Sequence, residues 1–231
     1  MRYVIESKNP SPVSIEGDDS VYPVRRMFCV GRNYAAHAAE MGDVVDREAP
    51  WYFTKSAHAV VMSGGTVPFA LGTQNLHFEM ELVVALKDEV FRADLPAARS
   101  AIYGYCCGLD MTRRDLQQVG KDHRRPWDLG KDIENGAILA PLLPAGKVGE
   151  IGPQRIALWQ NGEVKQDATL ADMVWSVPEI ISHLSHYYHL GPGDMIMTGT
   201  PAGVGPVQPG DLLDGVITGL PTLSVRIGPP E

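Results

Sequence analysis

The chain has 231 residues, 44% of them hydrophobic and 21% charged, a profile that fits one ordinary globular domain with ample material for a core. With 20 basic and 28 acidic residues the formal charge is −8, which argues against a general nucleic-acid binder or a protein held on anionic membranes. No apolar run approaches the roughly 18 residues of a spanning helix and the first residues lack a signal-peptide pattern, so the cytoplasm is the expected compartment.

Residues 1–25 carry short apolar pieces broken by Asn9-Pro10, Pro12, Gly17-Asp18-Asp19 and Pro23, which predicts an N-terminal arm of a strand or two and turns. Met27-Phe28-Cys29-Val30 then reads as a strand. Gly31-Arg32-Asn33 and the alanine-rich run Tyr34 to Met41 follow, the pattern of a helix capped by Asn33 and stopped by Gly42. On that helix His37 and Glu40 stand three apart, so the carboxylate faces the imidazole and can orient it as a general base. Such a pair is also common on solvated surfaces; its place directly after a strand and a glycine favours a site.

Trp51-Tyr52-Phe53-Thr54 predicts a strand leading to Lys55, which is either a substrate cation or an edge lysine with its stem on apolar surface. Val60 to Val67 continues in β through a Gly64-Gly65 turn. The apolar run Leu82 to Leu86 is preceded by Glu79-Met80-Glu81, and in a strand residues i and i+2 project from one face, so two carboxylates share a small volume. A second apolar run, Ile102 to Leu109, ends on Asp110. Three acids at the ends of two buried strands predict an oxygen-rich Mg2+ or Mn2+ site, whereas no Cys/His spacing argues for zinc. Cys106 and Cys107 in that run, like Cys29, read as reduced core residues.

Met111 to Gln117 reads as a short helix capped by Thr112, with Arg113 and Arg114 placed to receive an anion or simply solvated. Lys121 to Lys131 mixes charge, Pro and Gly without periodicity and reads as an ordered loop, a candidate lid. The sequence then turns to β: Ala137 to Leu139, and Arg155 to Gln160 joined to Glu163 to Gln166 by Asn161-Gly162, the preferred type I′ hairpin turn. Ser176-Val177-Pro178-Glu179 carries a capping box opening a helix to about His189, with Ile180, Leu184 and Tyr187 or Tyr188 as its apolar stripe. Met195 to Met197 is a buried strand. The glycine-rich loop 198–205, which includes Thr200, offers amides and hydroxyls to a carboxylate but lacks the ending of a phosphate-binding loop. Leu212 to Ile217 and Leu223 to Ile227 read as closing strands.

Together, Cys29 to Tyr34 with His37 and Glu40, His77 to Glu81, Gly108 to Gln117, Gly130-Lys131 and Thr198 to Gly205 resemble the fumarylacetoacetate hydrolase family, within it the short bacterial acylpyruvate hydrolases. The resemblance covers most of the chain after the arm. It implies an α+β, mainly β fold, a mixed β-sandwich roll with a few short helices in a catalytic domain over residues 26–231, usually dimeric. It also implies Mg2+ or Mn2+ on Glu79, Glu81 and Asp110, and catalytic roles for His37 with Glu40 and for Lys131. The expected reaction is cleavage of a 2,4-dioxo acid, with Lys131 stabilising an oxyanion and Gln117 positioning water. Arg32, Lys55, Arg113 and Thr200 are the expected contacts of a small anionic substrate. Two departures stand out. Phe78 replaces a frequent histidine, and Asp132 and Glu134 follow Lys131, where acids near the pocket would disfavour a distal substrate carboxylate. Oxaloacetate decarboxylation, isomerisation or decarboxylation of a hydroxy-dienedioate, and metal or ligand binding without catalysis are the alternative readings.

Overall fold

The run Met80–Leu86 is buried at every position in the computed structural model, which describes residues 4–5, 9–42 and 47–230. Seven consecutive buried residues fit a strand with neighbours on both edges and layers on both faces. Its neighbours are Ile102–Asp110 and Asp194–Met197, both antiparallel to it. The eight-stranded sheet continues through Arg26–Gly31 to Trp51–Lys55 on one side. On the other it continues through Ala137–Leu139 to Val60–Met62, with Leu143–Pro144 also pairing with Ile102–Asp110. Two pairings in it are parallel, so the sheet is mixed as expected.

A second sheet of five strands, in the order Glu163–Thr169, Arg155–Gln160, Leu212–Ile217, Leu223–Pro230, Thr66–Phe69, packs on one face of the first. The approach is close: a Cβ on Gly215 would lie 2.7 Å from Met80 Sδ, so any larger residue there would have to displace the end of the Met80 side chain. Asn161 and Gly162 take φ of 54° and 82°, the left-handed pair of the predicted hairpin turn.

Side-chain alternation along Met80–Leu86 separates two cores. Leu82, Val84 and Leu86 face the second sheet, while Val83 and Ala85 join Met27, Cys29, Cys106 and Met197 on the opposite face. Glu79 and Glu81 share the parity of Val83, and Asp110 that of Cys106, so all three acids project from this second face. The register, Met80 with Leu109 and Glu81 with Gly108, brings them to the same end of it. The N-terminal hairpin, Val13–Ile15 with Asp18–Tyr22, closes over this face. Its Tyr22 hydroxyl donates to the Leu86 carbonyl at 2.6 Å and accepts from the Gly193 amide at 2.9 Å, which welds the arm to the main sheet.

The segment Val60 to Val67 is β on both sides of the Gly64-Gly65 turn, as expected, with Val60–Met62 and Thr66–Phe69 in different sheets. Several local expectations are corrected. Thr112 is not a helix cap but pairs with His77 in a short ladder, and the helix runs Arg114–His123, absorbing Lys121 to His123 from the predicted loop. A second short helix, Asp128–Lys131, takes the end of that loop. The capping box of Ser176 and Glu179 is present, but its helix ends at Leu184, short of His189. Ser185 is buried and its amide still bonds to the Ile181 carbonyl, but its own carbonyl accepts from Arg92 N and its hydroxyl from Ala93 N, which takes that carbonyl out of the helical ladder. Tyr187 and Tyr188 consequently lie on the surface rather than in the apolar stripe.

Candidate active site

At the shared end of the two central strands, oxygen atoms of Glu79, Glu81 and Asp110 lie within 4.8 Å of one another, and all three residues are buried. Buried acids so close require cations. Lys131 Nζ donates to Glu79 Oε2 at 2.7 Å, to Asp110 Oδ2 at 2.8 Å and to Thr112 Oγ1 at 2.8 Å, which uses all three of its N–H bonds. Arg114 donates to Glu79 Oε1 at 2.6 Å. Lys55 pairs with Asp110 Oδ1 at 2.8 Å and donates to the Met111 carbonyl at 3.0 Å and to the Lys131 carbonyl.

The compensation is uneven. Burial alone would raise the Glu79 carboxyl, but the Lys131 and Arg114 charges outweigh it and hold the group well below the usual range. Glu81 has no ion-pair partner among the described residues; its contact is the Gly199 amide, which donates to Oε2 at 2.7 Å. Burial, then repulsion from Asp110 and Glu79, pushes its carboxyl well above the usual range. An all-oxygen donor set with one uncompensated carboxylate fits a hard divalent ion such as Mg2+ or Mn2+.

His37 and Glu40 come together as expected: His37 Nδ1 lies 3.3 Å from Glu40 Oε2 on the helix Ala35–Glu40. With Nδ1–H donating to Glu40, Nε2 carries the free lone pair. Glu40 in turn accepts from Gly203 N at 3.1 Å. The glycine-rich loop therefore does hold carboxylates, but they are the protein's own, Glu81 at Gly199 and Glu40 at Gly203. Asn33 does not cap this helix. It is fully buried, its Nδ2 donating to the carbonyls of Trp175 at 3.0 Å and Thr198 at 2.8 Å, its Oδ1 accepting from Trp175 N at 2.7 Å. It fastens the segment before His37 to the loop carrying Thr200.

One cleft is lined by His37, Glu79, Glu81, Gln117, Lys131 and Thr200, and also by Arg32 and Arg114. Gln117 accepts from Arg114 at 2.7 Å through Oε1, leaving its amide N–H2 as a donor for the cleft. Thr200 is buried and its hydroxyl accepts from Gln166 at 2.8 Å.

Two expected substrate contacts lie elsewhere. Lys55 is neither a substrate cation nor an edge lysine but a fully enclosed counter-ion of Asp110. Arg113 does not line the cleft; it donates to the Leu129 carbonyl at 3.0 Å and fastens the short helix Asp128–Lys131. Asp132 and Glu134 also point away, both exposed, with Asp132 accepting from Ser56 N at 2.7 Å, so they put no negative charge into the cleft. Trp51, Lys121 and Trp127 also line the cleft, beyond the residues to which the sequence motifs point. Their only signal in the sequence is a glycine beside a cation, Gly31-Arg32 and Gly120-Lys121, each meeting a tryptophan from a later segment.

Residues 26–228 match the family model for the C-terminal domain of fumarylacetoacetate (FAA) hydrolase. Over 194 residues the chain is 50% identical to the fumarylpyruvate hydrolase of a Ralstonia species, covering 83% of this chain and 100% of that one. It is 36% identical over 209 residues to human oxaloacetate tautomerase FAHD1, covering 90% and 93%. The fumarylpyruvate hydrolase of Pseudomonas aeruginosa, solved with Mn2+ and pyruvate, superposes with a TM-score of 0.95 at 42% identity, covering 99% of this chain and 100% of that one. With the mixed roll, the acid triad and the His37–Glu40 pair in place, the chain belongs to the fumarylacetoacetate hydrolase family.

Proposed function

We propose that this protein is an acylpyruvase, a hydrolase acting on the carbon–carbon bond of a 2,4-dioxo acid, with fumarylpyruvate as substrate and fumarate and pyruvate as products. The observation that carries this reading is the His37–Glu40 pair lining the same cleft as Glu79 and Glu81: a bare decarboxylase has no need of a base to activate water. Half of the aligned residues are identical to those of the Ralstonia fumarylpyruvate hydrolase, which supports the same substrate here. The setting would be cytoplasmic aromatic catabolism of the gentisate type, with the chain as a homodimer. No helix among the described residues is long and apolar enough to cross a membrane.

Glu79, Glu81 and Asp110 would hold the Mg2+ or Mn2+, which when bound supplies Lewis-acid polarisation of the substrate's oxo and carboxylate oxygens. His37 Nε2 takes a proton from water while Glu40 steadies the imidazolium. The hydroxide adds to the 4-carbonyl carbon. The Gln117 amide and the Thr200 hydroxyl donate to oxygens of the bound substrate and water. Lys131 acts first as the shared counter-ion of Glu79 and Asp110; it reaches a developing oxyanion only by exchanging one of its three bonds. The bond between C3 and C4 breaks, its electron pair passes to the pyruvyl carbon, and the proton held on His37 returns there. The other fragment leaves as a carboxylic acid.

The test is release of pyruvate from fumarylpyruvate and acetylpyruvate after EDTA treatment and again after adding Mg2+ or Mn2+, with oxaloacetate alongside. Metal-dependent cleavage of fumarylpyruvate is expected. Turnover of oxaloacetate alone would move the site to the tautomerase or decarboxylase chemistry named for its 35–36% identical relatives. Metal binding without turnover of any substrate would leave a binding protein.

A further inference from the structure

Along the strand Trp51–Lys55, Phe53 and Lys55 pair with Cys29 and Met27 of Arg26–Gly31, and so project from the face that carries the acid triad. Both meet Lys131. Lys55 is 3% exposed, and its ammonium donates to the Lys131 carbonyl and, at 3.0 Å, to the Met111 carbonyl. It lies 2.8 Å from Asp110 Oδ1 as an ion pair, and that buried oxygen accepts no hydrogen bond, so its lone pairs remain open to a metal ion. Phe53 turns its ring face to the other end of the same lysine, with the ring centre 4.8 Å from Lys131 Nζ.

Lys131 is therefore held at both ends by one strand. Its carbonyl is tied to Lys55, while its ammonium engages all three N–H bonds with Glu79, Asp110 and Thr112 under the Phe53 ring. Building on the role of Lys131 in acylpyruvate cleavage, we propose that Phe53 and Lys55 are positioning residues for Lys131 and Asp110. The Phe53 ring attracts the ammonium through its π face and so takes up none of its N–H bonds. When one bond to a carboxylate is exchanged for a developing oxyanion, that attraction persists, and the ammonium pivots in place. Phe53 and Lys131 line both the cleft and the groove beside it, so the ring bounds the space in which the pivot happens. Lys55 supplies the fixed reference: one enclosed cation holds the Asp110 carboxylate, the backbone just after it and the backbone of Lys131, which keeps the metal-site acid and the mobile ammonium in register.

The experiment compares the wild type with Phe53→Leu, Phe53→Tyr and Lys55→Met, in Mn2+ affinity by calorimetry and in steady-state cleavage of fumarylpyruvate by the Mn2+-loaded enzyme. Phe53→Leu keeps apolar bulk and removes the ring, so kcat should fall about 3- to 30-fold while KM and Mn2+ affinity stay within about twofold. Phe53→Tyr keeps the ring face and should remain within about twofold of the wild type in kcat. A rise in KM at unchanged kcat, the mark of a plain substrate contact, overturns the role of Phe53, and so does a tyrosine variant as slow as the leucine one. Lys55→Met should weaken Mn2+ binding about 10- to 100-fold, the usual cost of losing a partner that orients a metal ligand. A cation that only balanced charge would compete with the metal, so unchanged or tighter Mn2+ binding overturns the role of Lys55. Phe53→Leu disturbs no buried charge and decides the proposal if Lys55→Met does not fold. Failure of the wild type to cleave fumarylpyruvate would sink the hydrolase reading, and the Mn2+ affinity of Lys55→Met would still decide this one.

Discussion

Gln166 Nε2 donates to the Thr200 hydroxyl at 2.8 Å, and this sets which way the Thr200 proton points. The amide orientation is fixed by its other partners: Oε1 accepts from Met80 N at 3.0 Å, and Nε2 also donates to the Pro201 carbonyl at 2.8 Å. A hydroxyl that accepts on one side is free to donate on another, here into the cleft. Gln166 thus ties the backbone between Glu79 and Glu81 to a hydroxyl that lines the cleft.

Replacing Gln166 by glutamate supplies an acceptor where Thr200 needs a donor, so the hydroxyl proton is drawn away from the cleft. The expected result is a rise in KM with kcat/KM down about 10- to 100-fold, the worth of one bond to a charged group. Thr200→Val should cost a similar amount, and the double variant little more than either single one. Additive losses in that double-mutant cycle would show that the two residues act separately.

His37 and Glu79 separate chemistry from metal binding. His37→Ala should lower kcat about 100- to 10,000-fold while Mn2+ affinity, measured by calorimetry, stays within about twofold. Glu79→Ala removes an acid of the triad and leaves Lys131 and Arg114 without a shared partner, so Mn2+ binding itself should be lost. Near-wild-type turnover of His37→Ala across pH would remove it from the role of base.

What the sequence made legible follows the reach of local periodicity. Glu79 and Glu81 at i and i+2, His37 and Glu40 at i and i+3, and the Asn161-Gly162 turn each announce their geometry within a few residues. Lys131 meets Glu79 across 52 positions and Asn33 meets Thr198 across 165, and no spacing rule spans such distances. Lys55 stands at a strand end, where lysines usually snorkel; only the fold reveals that this strand end lies over Asp110. Thr112 and Asn33 are residue types that favour helix caps, and tertiary partners override that local preference in both.

Asp211 offers a pH test away from the active site. It joins the Asn161-Gly162 hairpin to the start of Leu212–Ile217, accepting from Gln160 Nε2, Asn161 Nδ2 and Gln208 N, each at 2.7 Å. Partial burial raises its carboxyl, but the bonds from Asn161, Gln208 and Gln160 outweigh that and leave it lowered. A carboxyl lowered in the folded state stabilises fully above its unfolded value of about 3.9, and the contribution is lost as pH falls through the folded value. Thermal melts should therefore show a steeper loss of Tm below about pH 4 in the wild type than in Asp211→Asn. Parallel curves for the two proteins would contradict the assignment.

Asn33 distinguishes a helix cap from an internal staple, because serine replaces asparagine in the first role and fails in the second. As a cap, Asn33→Ser would be nearly neutral and Asn33→Ala would cost about 1 kcal/mol. As a staple the side chain satisfies the carbonyls of Trp175 and Thr198 and the amide of Trp175, all reached across the fold, and the shorter serine reaches none of this set together. Leaving buried backbone groups unpaired costs about 1–3 kcal/mol each, so both variants should lose about 3 kcal/mol or more in urea unfolding. Because Thr198 leads into Thr200 and Asn33 precedes the His37 helix, any folded variant should also lose turnover with Mn2+ still bound. Rescue of both stability and rate by serine would return Asn33 to the helix terminus.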